Sequence, residues 1–468
     1  MNKIRIVIFG LGVVGSHVVK LLEKNNNILN GSKFEIVALG AKNKSKKRNF
    51  NVKKYNWVSH FSDLENYAKP DVIIETIGGT GSYINNLYKY CIKKNISLIT
   101  ANKAQLAENG DEFFADFDNQ KLFLGFEAAV LGAVPVVRSI EQSILPSKVN
   151  KIYGIFNGTT NYIISQMYDN KISFQESLNQ AIKNGFAEQD SSADLSGRDA
   201  THKLVLLSNL SFGNKFSFSD INYDGIENIK LIDLEQGLKL GYKLKLVSLT
   251  ERHSNSKYYS SVAPCFVPEN SLIAKTDFEE NVITLEGDSF IKTSLVGKGA
   301  GGYPTATSII SDLKRFIYHD ETNGVFVKKY SSMPKSKFVD RSDRKRPYYL
   351  RMSVSNKVRV LKSIDIPSVL VESGFITNPD DSRRLSKKPG RRMIARSIFL
   401  GIHEYFKVKP KPNTIMDPLP EFLTYTIQKG DVISEIAIRF GVTVNEVIKW
   451  NELDPSSIFP GQKIKIYI

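Results

Sequence analysis

Cysteine is almost missing from this chain of 468 residues: Cys91 and Cys265 stand alone, too few and too far apart for a disulfide framework or a cysteine-based metal knuckle. Tryptophan (two) and histidine (six) are scarce, and no run approaches the roughly 20 apolar residues that a membrane-spanning helix needs. The start, Met1 to Arg5 followed by Ile6 to Val14, imitates a secretion signal. Gly10 and Gly12 break its apolar run, however, and no small-residue cleavage site follows. These absences predict a cytoplasmic protein in a reducing compartment, with no membrane partner.

Charge of one sign is in excess: the formal net charge is +16, and most of it falls between Phe316 and Leu400. That stretch holds no basic helix or aromatic platform of a nucleic-acid reader, so a solvated basic face is expected and no nucleic-acid partner. The length allows about three domains.

Short apolar strands alternate with amphipathic helices from Ile4 to about Val130: IRIVIFG, FEIVALG, VIIETIG and SLITANK, with helices over Ser16 to Glu23 and Ser82 to Lys94. Such alternation builds a parallel sheet with crossover helices. The expected fold class is therefore α/β, with a Rossmann-type dinucleotide-binding domain over residues 1–130. Residues 131–296 mix strands (KIYGIFNG, SSVAPCFV, NVITLEG) with helices at 173–184 and 195–209, which predicts a second, α+β domain. A glycine turn and helix at 297–315 are expected to complete the first domain.

Gly10-Leu11-Gly12-Val13-Val14-Gly15 follows the first strand and opens the first helix. Gly10 permits a tight turn, Gly12 lets the backbone approach a pyrophosphate, and Gly15 allows close helix packing. The other reading is an ordinary glycine-rich turn. Where an acid at the end of the second strand would favour NAD, Leu39-Gly40-Ala41-Lys42 stands instead, with Lys44 and Lys46 to Arg48 beyond. Ala41 and Lys42 therefore favour NADP over NAD, unless this is only a solvated basic loop.

The stretches VIIETIGG, TANKAQLA, FEAAVLGAVPVV, GIFNGTTNYI, NGFAEQDSSADLSGRDATHKL and GKGAGGYPTA run in order through residues 1–315 and resemble homoserine dehydrogenase. That resemblance implies an NAD(P)-dependent enzyme interconverting L-aspartate 4-semialdehyde and L-homoserine, acting as a homodimer through its second domain. It implies that Lys203 transfers the proton, with Lys103 near cofactor and substrate. Glu188 and Asp199 would hold the amino acid, Asp194 would shape the same pocket, and Gly185, Gly301 and Gly302 would approach the nicotinamide. From the residues alone, Lys203 could equally pair with Asp199 at i,i+4 and Asp194 could be a helix N-cap. Asn157 to Asn161 is expected to line the pocket or order the interface, the other reading being a strand-end turn. Glu127, with the carbonyls of Val130, Gly132 and Val134, matches a monovalent cation site, for sodium or potassium; hard oxygens suit such an ion and not zinc.

Beyond residue 315 the character changes. Residues 316–356 read as a linker followed by the start of an ACT-type regulatory domain at Pro347 to Val354. Residues 357–407 resemble the C-terminal part of a zinc-dependent N-acetylmuramoyl-L-alanine amidase, with Glu372 where that family has its catalytic glutamate. Only His319 and His403 remain to bind zinc, so amidase activity is not expected. A proline-spaced linker at 408–423 leads to residues 424–468, which resemble a small βααβ LysM domain through Gly430-Asp431, Trp450-Asn451 and Pro460-Gly461. That unit implies peptidoglycan binding, and with it an alternative reading of the chain as a cell-wall protein.

Overall fold

The structure, a computed structural model, describes residues 3–339 apart from 26–27, 30, 145–146, 255–256, 320–324 and 327–328, and residues 422–467 apart from 429, 441 and 455–457. The ACT-like strand, the amidase-like stretch with Glu372 and most of the second linker lie outside the described residues. The chain forms two compact units, split between Arg346 and Pro347.

The first unit opens with β1 (Lys3–Phe9), α1 (Val13–Lys24), β2 (Ile28–Leu29), β3 (Ser32–Gly40), β4 (Asn56–Val58), β5 (Val72–Glu75), α2 (Ser82–Lys93), β6 (Ser97–Thr100), α3 (Lys103–Asn119) and β7 (Leu124–Gly125). Its sheet runs β2-β3-β1-β5-β6-β7, with β4 on β3, and every pairing but β2–β3 is parallel. Alternate residues of β1 serve opposite faces, as the period of two requires. Ile6 and Ile8 pack under α1, while Val7 and Phe9 join the Tyr88 and Phe113 side. Burial on both faces is what a parallel sheet demands.

A second sheet follows from α4 (Val136–Ser139), β8 (Val149–Ile155), α5 (Gly158–Asn170), α6 (Phe174–Lys183), α7 (Ser192–Leu195), α8 (Arg198–Phe212), β9 (Asn222–Tyr223), α9 (Leu231–Lys239), β10 (Tyr242–Ser254), β11 (Lys257–Pro268), α10 (Leu272–Lys275), β12 (Glu280–Gly287) and β13 (Lys292–Lys298). Its central order is β13-β12-β8-β10-β11, antiparallel throughout. Helices α5 and α8 pack on this sheet. On it, Ile155, Val247, Ile273 and Val282 form a small separate cluster edged by the half-buried Tyr153, Cys265 and Val267. The chain then returns through α11 (Gly302–Ile317), whose Ala306, Ile309 and Leu313 share the α1 core.

The described residues between 325 and 339 do not behave as the expected linker. Val325, Phe326, Tyr330 and Met333 are buried in the main core, where Phe326 and Tyr330 meet Phe114 with ring centroids 4.8 and 5.0 Å away. Asp118 accepts the backbone N–H of Tyr330 at 2.7 Å, and the Tyr330 hydroxyl donates to Asp111. β14 (Lys337–Phe338) then extends the second sheet alongside β11.

The second unit, as far as it is described, is β15 (Phe422–Thr426), α12 (Ile433–Phe440), α13 (Val444–Asn451) and β16 (Lys463–Tyr467), with the strands antiparallel. Ile427, Ile436, Val447, Ile464 and Ile466 make its core. Thr443 and Glu446 form a capping box at the start of α13, and the Asn451 amide ties the end of that helix to the backbone of Lys465. No described helix in the chain is long and apolar enough to cross a membrane.

Candidate active site

The glycine turn has the geometry its sequence calls for. Gly10 sits at φ +89°, and a Cβ there would lie 2.6 Å from the Thr76 carbonyl. A Cβ on Gly15 would come within 1.9 Å of the Gly10 oxygen, whereas Gly12 faces open space. Helix α1 has no side-chain cap, so the first-turn N–H groups, those of Val13 and Val14 among them, remain for an anion. The second glycine turn meets the first: a Cβ on Gly302 would strike Val13 and His17, and Gly301 turns at φ +120°. Ala41 is half-buried and Lys42 exposed beyond β3. Arg48 braces their loop, donating to the Asn43 carbonyl at 2.7 Å and lying 5.2 Å over Trp57.

At the same edge of the first sheet, where Phe9, Glu75 and Thr100 end neighbouring strands and Lys103 follows, two lysines share one buried carboxylate. Lys203 Nζ donates to Asp199 Oδ2 and to the Phe156 carbonyl, each at 2.7 Å. Lys103 Nζ lies 3.0 Å from Asp199 Oδ1. Burial pushes the Asp199 carboxyl upward, but Lys103 and Lys203 outweigh it and hold the group well below the usual range. In return Asp199 raises the Lys103 ammonium against burial, with smaller contributions from Asp194 and Glu188. Glu188 is exposed.

Asp194 is raised by burial and by Asp199. It lies inside α7 and is not an N-cap; its carboxylate accepts from Asn157 Nδ2 at 2.6 Å. The same amide reaches Asp199 at 2.8 Å. Gly185 closes α6 at φ +77° in a Schellman arrangement, its N–H on the Ile182 carbonyl and that of Phe186 on the Ala181 carbonyl.

Glu127 is fully buried, and its two carboxylate oxygens accept the N–H groups of Val137 and Arg138 at 2.9 and 3.1 Å. Burial, reinforced by Asp312, pushes its pKa up to about 7. Ser308 donates to the Gly132 carbonyl and Val136 to that of Val134; each oxygen keeps a second lone pair. Val130, also buried, follows directly on the Glu127 turn. A buried carboxylate and backbone carbonyls with free lone pairs are hard-oxygen donors of the kind a monovalent cation takes. No group of three or more His, Cys, Asp or Glu suited to a metal occurs among the described residues.

The contacts of several residues were not legible beforehand. Asn157 is the N-cap of α5, its Oδ1 accepting the Thr160 N–H at 2.8 Å, so its motif is a helix start and not a strand-end turn. Glu75, fully buried, gathers the N–H groups of Ile77 and Gly78 and the Thr100 hydroxyl, and so shapes the open Gly78-Gly79 turn. Asn281 is buried against Gly299 with both amide atoms unpartnered. A cavity of about 610 Å³ lined by Phe123, Arg138, Glu141, Lys314 and Arg315 shares no residue with the lysine cluster.

Known proteins resemble this chain along most of its length. A family model described as homoserine dehydrogenase, NAD binding domain, matches residues 10–121, and one described as homoserine dehydrogenase matches residues 135–313. Models for an N-acetylmuramoyl-L-alanine amidase and a LysM domain match residues 317–404 and 425–466; the amidase match begins ahead of residue 357 and takes in the ACT-like stretch. The chain is 34% identical over 319 residues to homoserine dehydrogenase of Bacillus subtilis (strain 168), covering 67% of this chain and 72% of that one. It is 31% identical over 381 residues to that of Helicobacter pylori, covering 81% and 87%. A homoserine dehydrogenase structure from Thiobacillus denitrificans superimposes with a TM-score of 0.68 at 28% identity, covering 72% of this chain and 80% of that chain. With a nicotinamide-binding half and a catalytic half matched in order, the chain belongs to the homoserine dehydrogenase family of NAD(P)-dependent oxidoreductases, followed by an amidase fragment and a LysM domain.

Proposed function

We propose that this dehydrogenase interconverts L-aspartate 4-semialdehyde and L-homoserine at the Lys103–Asp199–Lys203 cluster, with NADP as the preferred cofactor. The observation that carries this reading is one buried carboxylate holding two ammonium groups, in a chain whose first helix also leaves its N-terminus uncapped. A nicotinamide cofactor held at the Gly10 to Gly15 turn would supply hydride transfer. Lys203 delivers a proton to the developing alkoxide and removes it in the reverse direction. Lys103 stabilises the same oxygen, and Asp199 holds both ammonium groups in place.

Because the Asp199 oxygens are engaged by the lysines and by Asn157, the substrate ammonium falls to the exposed Glu188, with Asp194 shaping the pocket. Gly185, Gly301 and Gly302 offer backbone close to the cofactor. Glu127 with the carbonyls of Val130, Gly132 and Val134 would hold sodium or potassium and so fix the loop that packs on Gly299. The assembly in this reading is a homodimer through the second domain. A cytoplasmic setting suits the nicotinamide pool.

The test is NADP-dependent oxidation of L-homoserine by the purified full-length chain. Cofactor binding without turnover of homoserine would sink the substrate assignment. The complete strand–helix–helix–strand of the second unit supports a second capacity, binding of peptidoglycan glycan. Failure of the chain to sediment with insoluble peptidoglycan would remove it.

A further inference from the structure

The Lys103–Asp199 contact joins two helices that belong to different sheets. Helix α3 follows β6 of the dinucleotide-binding sheet, and α8 packs on β8 and β10 of the second. A second set of contacts joins the same pair. Glu108, five positions after Lys103, receives two hydrogen bonds on one carboxylate oxygen: from Arg198 Nη2 at 2.8 Å and from the His202 ring Nε2 at 2.7 Å. Arg198 and His202 are one turn apart on α8, and each precedes directly a member of the site, Asp199 and Lys203. Phe218 backs both donors, its ring 4.7 Å from the His202 ring and 5.7 Å from the Arg198 guanidinium.

Two cross-links at different heights resist a change that one alone permits. With only Lys103 on Asp199, a flexible lysine stem would tolerate sliding or twisting of α3 against α8. A short carboxylate gripped by two donors from neighbouring turns does not. The His202 ring is buried and planar, so its approach to Glu108 sets a narrow range of helix separation.

We propose that Glu108, with Arg198 and His202, is a positioning latch that sets the cofactor-binding half against the acceptor half. It touches neither substrate nor cofactor; it acts through Lys103 and the first turn of α8. This inference rests on the function proposed above, since the quantity it controls is the placement of hydride donor against acceptor. Misplacement by about 1 Å can cost on the order of a hundredfold in rate.

The test compares Glu108→Ala with Glu108→Gln in the full chain. Glutamine keeps an oxygen with two lone pairs and so the geometry, while alanine removes it. Glu108→Ala is expected to lower kcat about tenfold or more, leave the KM for NADP within about twofold, and enlarge the primary isotope effect with homoserine deuterated at its CH2OH carbon; Glu108→Gln should stay near the unmutated enzyme. Unchanged kcat and isotope effect in Glu108→Ala would overturn the latch, as would equal losses of thermal stability in both variants with turnover intact. Amide hydrogen exchange gives a readout that needs no turnover. Glu108→Ala alone should speed exchange in the first turns of α3 and α8, and no change there also overturns the proposal. An inactive unmutated chain would instead count against the functional reading, and the exchange experiment would still decide the latch.

Discussion

Asp199 and Lys203 stand one turn apart on α8 and meet at 2.7 Å, so the simplest helical ion pair and the centre of the site are the same contact. What distinguishes it from a surface pair is its burial, Lys203 being 7% and Asp199 8% exposed, and the third partner, Lys103, arriving from α3. An i,i+4 pair in water contributes a few tenths of a kcal/mol. Inside the protein a carboxylate flanked by two ammoniums is a device for keeping charge in place.

Replacing Lys203 with alanine should therefore abolish turnover, by on the order of a hundredfold or more, while leaving cofactor affinity nearly unchanged. Asp199 keeps Lys103 and Asn157 as partners in that variant, and the glycine turn is untouched. Steady-state homoserine oxidation beside a fluorescence titration with NADPH separates the two effects. A Lys203→Ala enzyme with normal kcat would remove Lys203 from the chemistry.

The packing of residues 325–339 implies that they belong energetically to the dehydrogenase. Tyr330 is 1% exposed, stacks in the Phe114 and Phe326 cluster and anchors two acidic side chains of α3. Tyr330→Ala should cost about 3 to 5 kcal/mol, as other large-to-small aromatic changes in cores do, with activity per folded molecule retained. Thermal melting beside active-site titration reads both. An unchanged melting temperature would mean that this segment is an appendage after all.

Physical locality explains which of these features could be read from sequence. Gly10, Gly12 and Gly15 were legible because each meets a local demand of the backbone, and the alternating strands because their period is local too. The partnership of Lys103 with Asp199 and Lys203 entered through family resemblance. Spacing alone offered only the pair on α8. Asn157 was legible as a pocket or interface residue only through its motif; that its amide holds Asp194 and Asp199 depends on residues about 40 positions away. Glu108 meets its partners across about 90 positions. Residues 325–339 resembled a linker because Val325, Phe326, Tyr330 and Met333 follow neither a helical nor a strand period, being buried by neighbours rather than by their own element.

The loop after β3 offers a test of cofactor choice. Lys42 is exposed beside the open glycine turn, and Arg48 organises the loop through the carbonyls of Asn43 and Lys46. Lys42→Glu should raise the KM for NADPH about tenfold or more while leaving NADH little changed, since a 2′-phosphate loses a cation and gains a repulsive charge. Arg48→Ala should weaken both cofactors, because the loop itself loosens. Equal effects of Lys42→Glu on the two cofactors would argue against a 2′-phosphate site there.

The buried carboxylates near α11 give the fold a dependence on pH whose sign is opposite to that of Asp199. Burial pushes Glu141 up to about 7, with Arg315 opposing and Asp312 reinforcing. Asp199 is depressed, so its contribution is complete above the unfolded value near about 4 and is lost only as pH falls through its folded pKa. Glu141 is raised, so between its ordinary value of 4.5 and about 7 the folded protein keeps a proton that the unfolded chain has shed. Stability contributed by Glu141 is then lost as pH rises through that window, at no more than about 1.4 kcal/mol per unit. Glu141→Gln carries no such proton, and its urea midpoint should fall less between pH 5 and pH 7.5 than that of the unmutated chain. Glu127, raised in the same direction, would leave part of the slope in place. A difference of midpoints identical in the two proteins would mean that Glu141 is ionised across the whole range, with Arg315 compensating its burial in full.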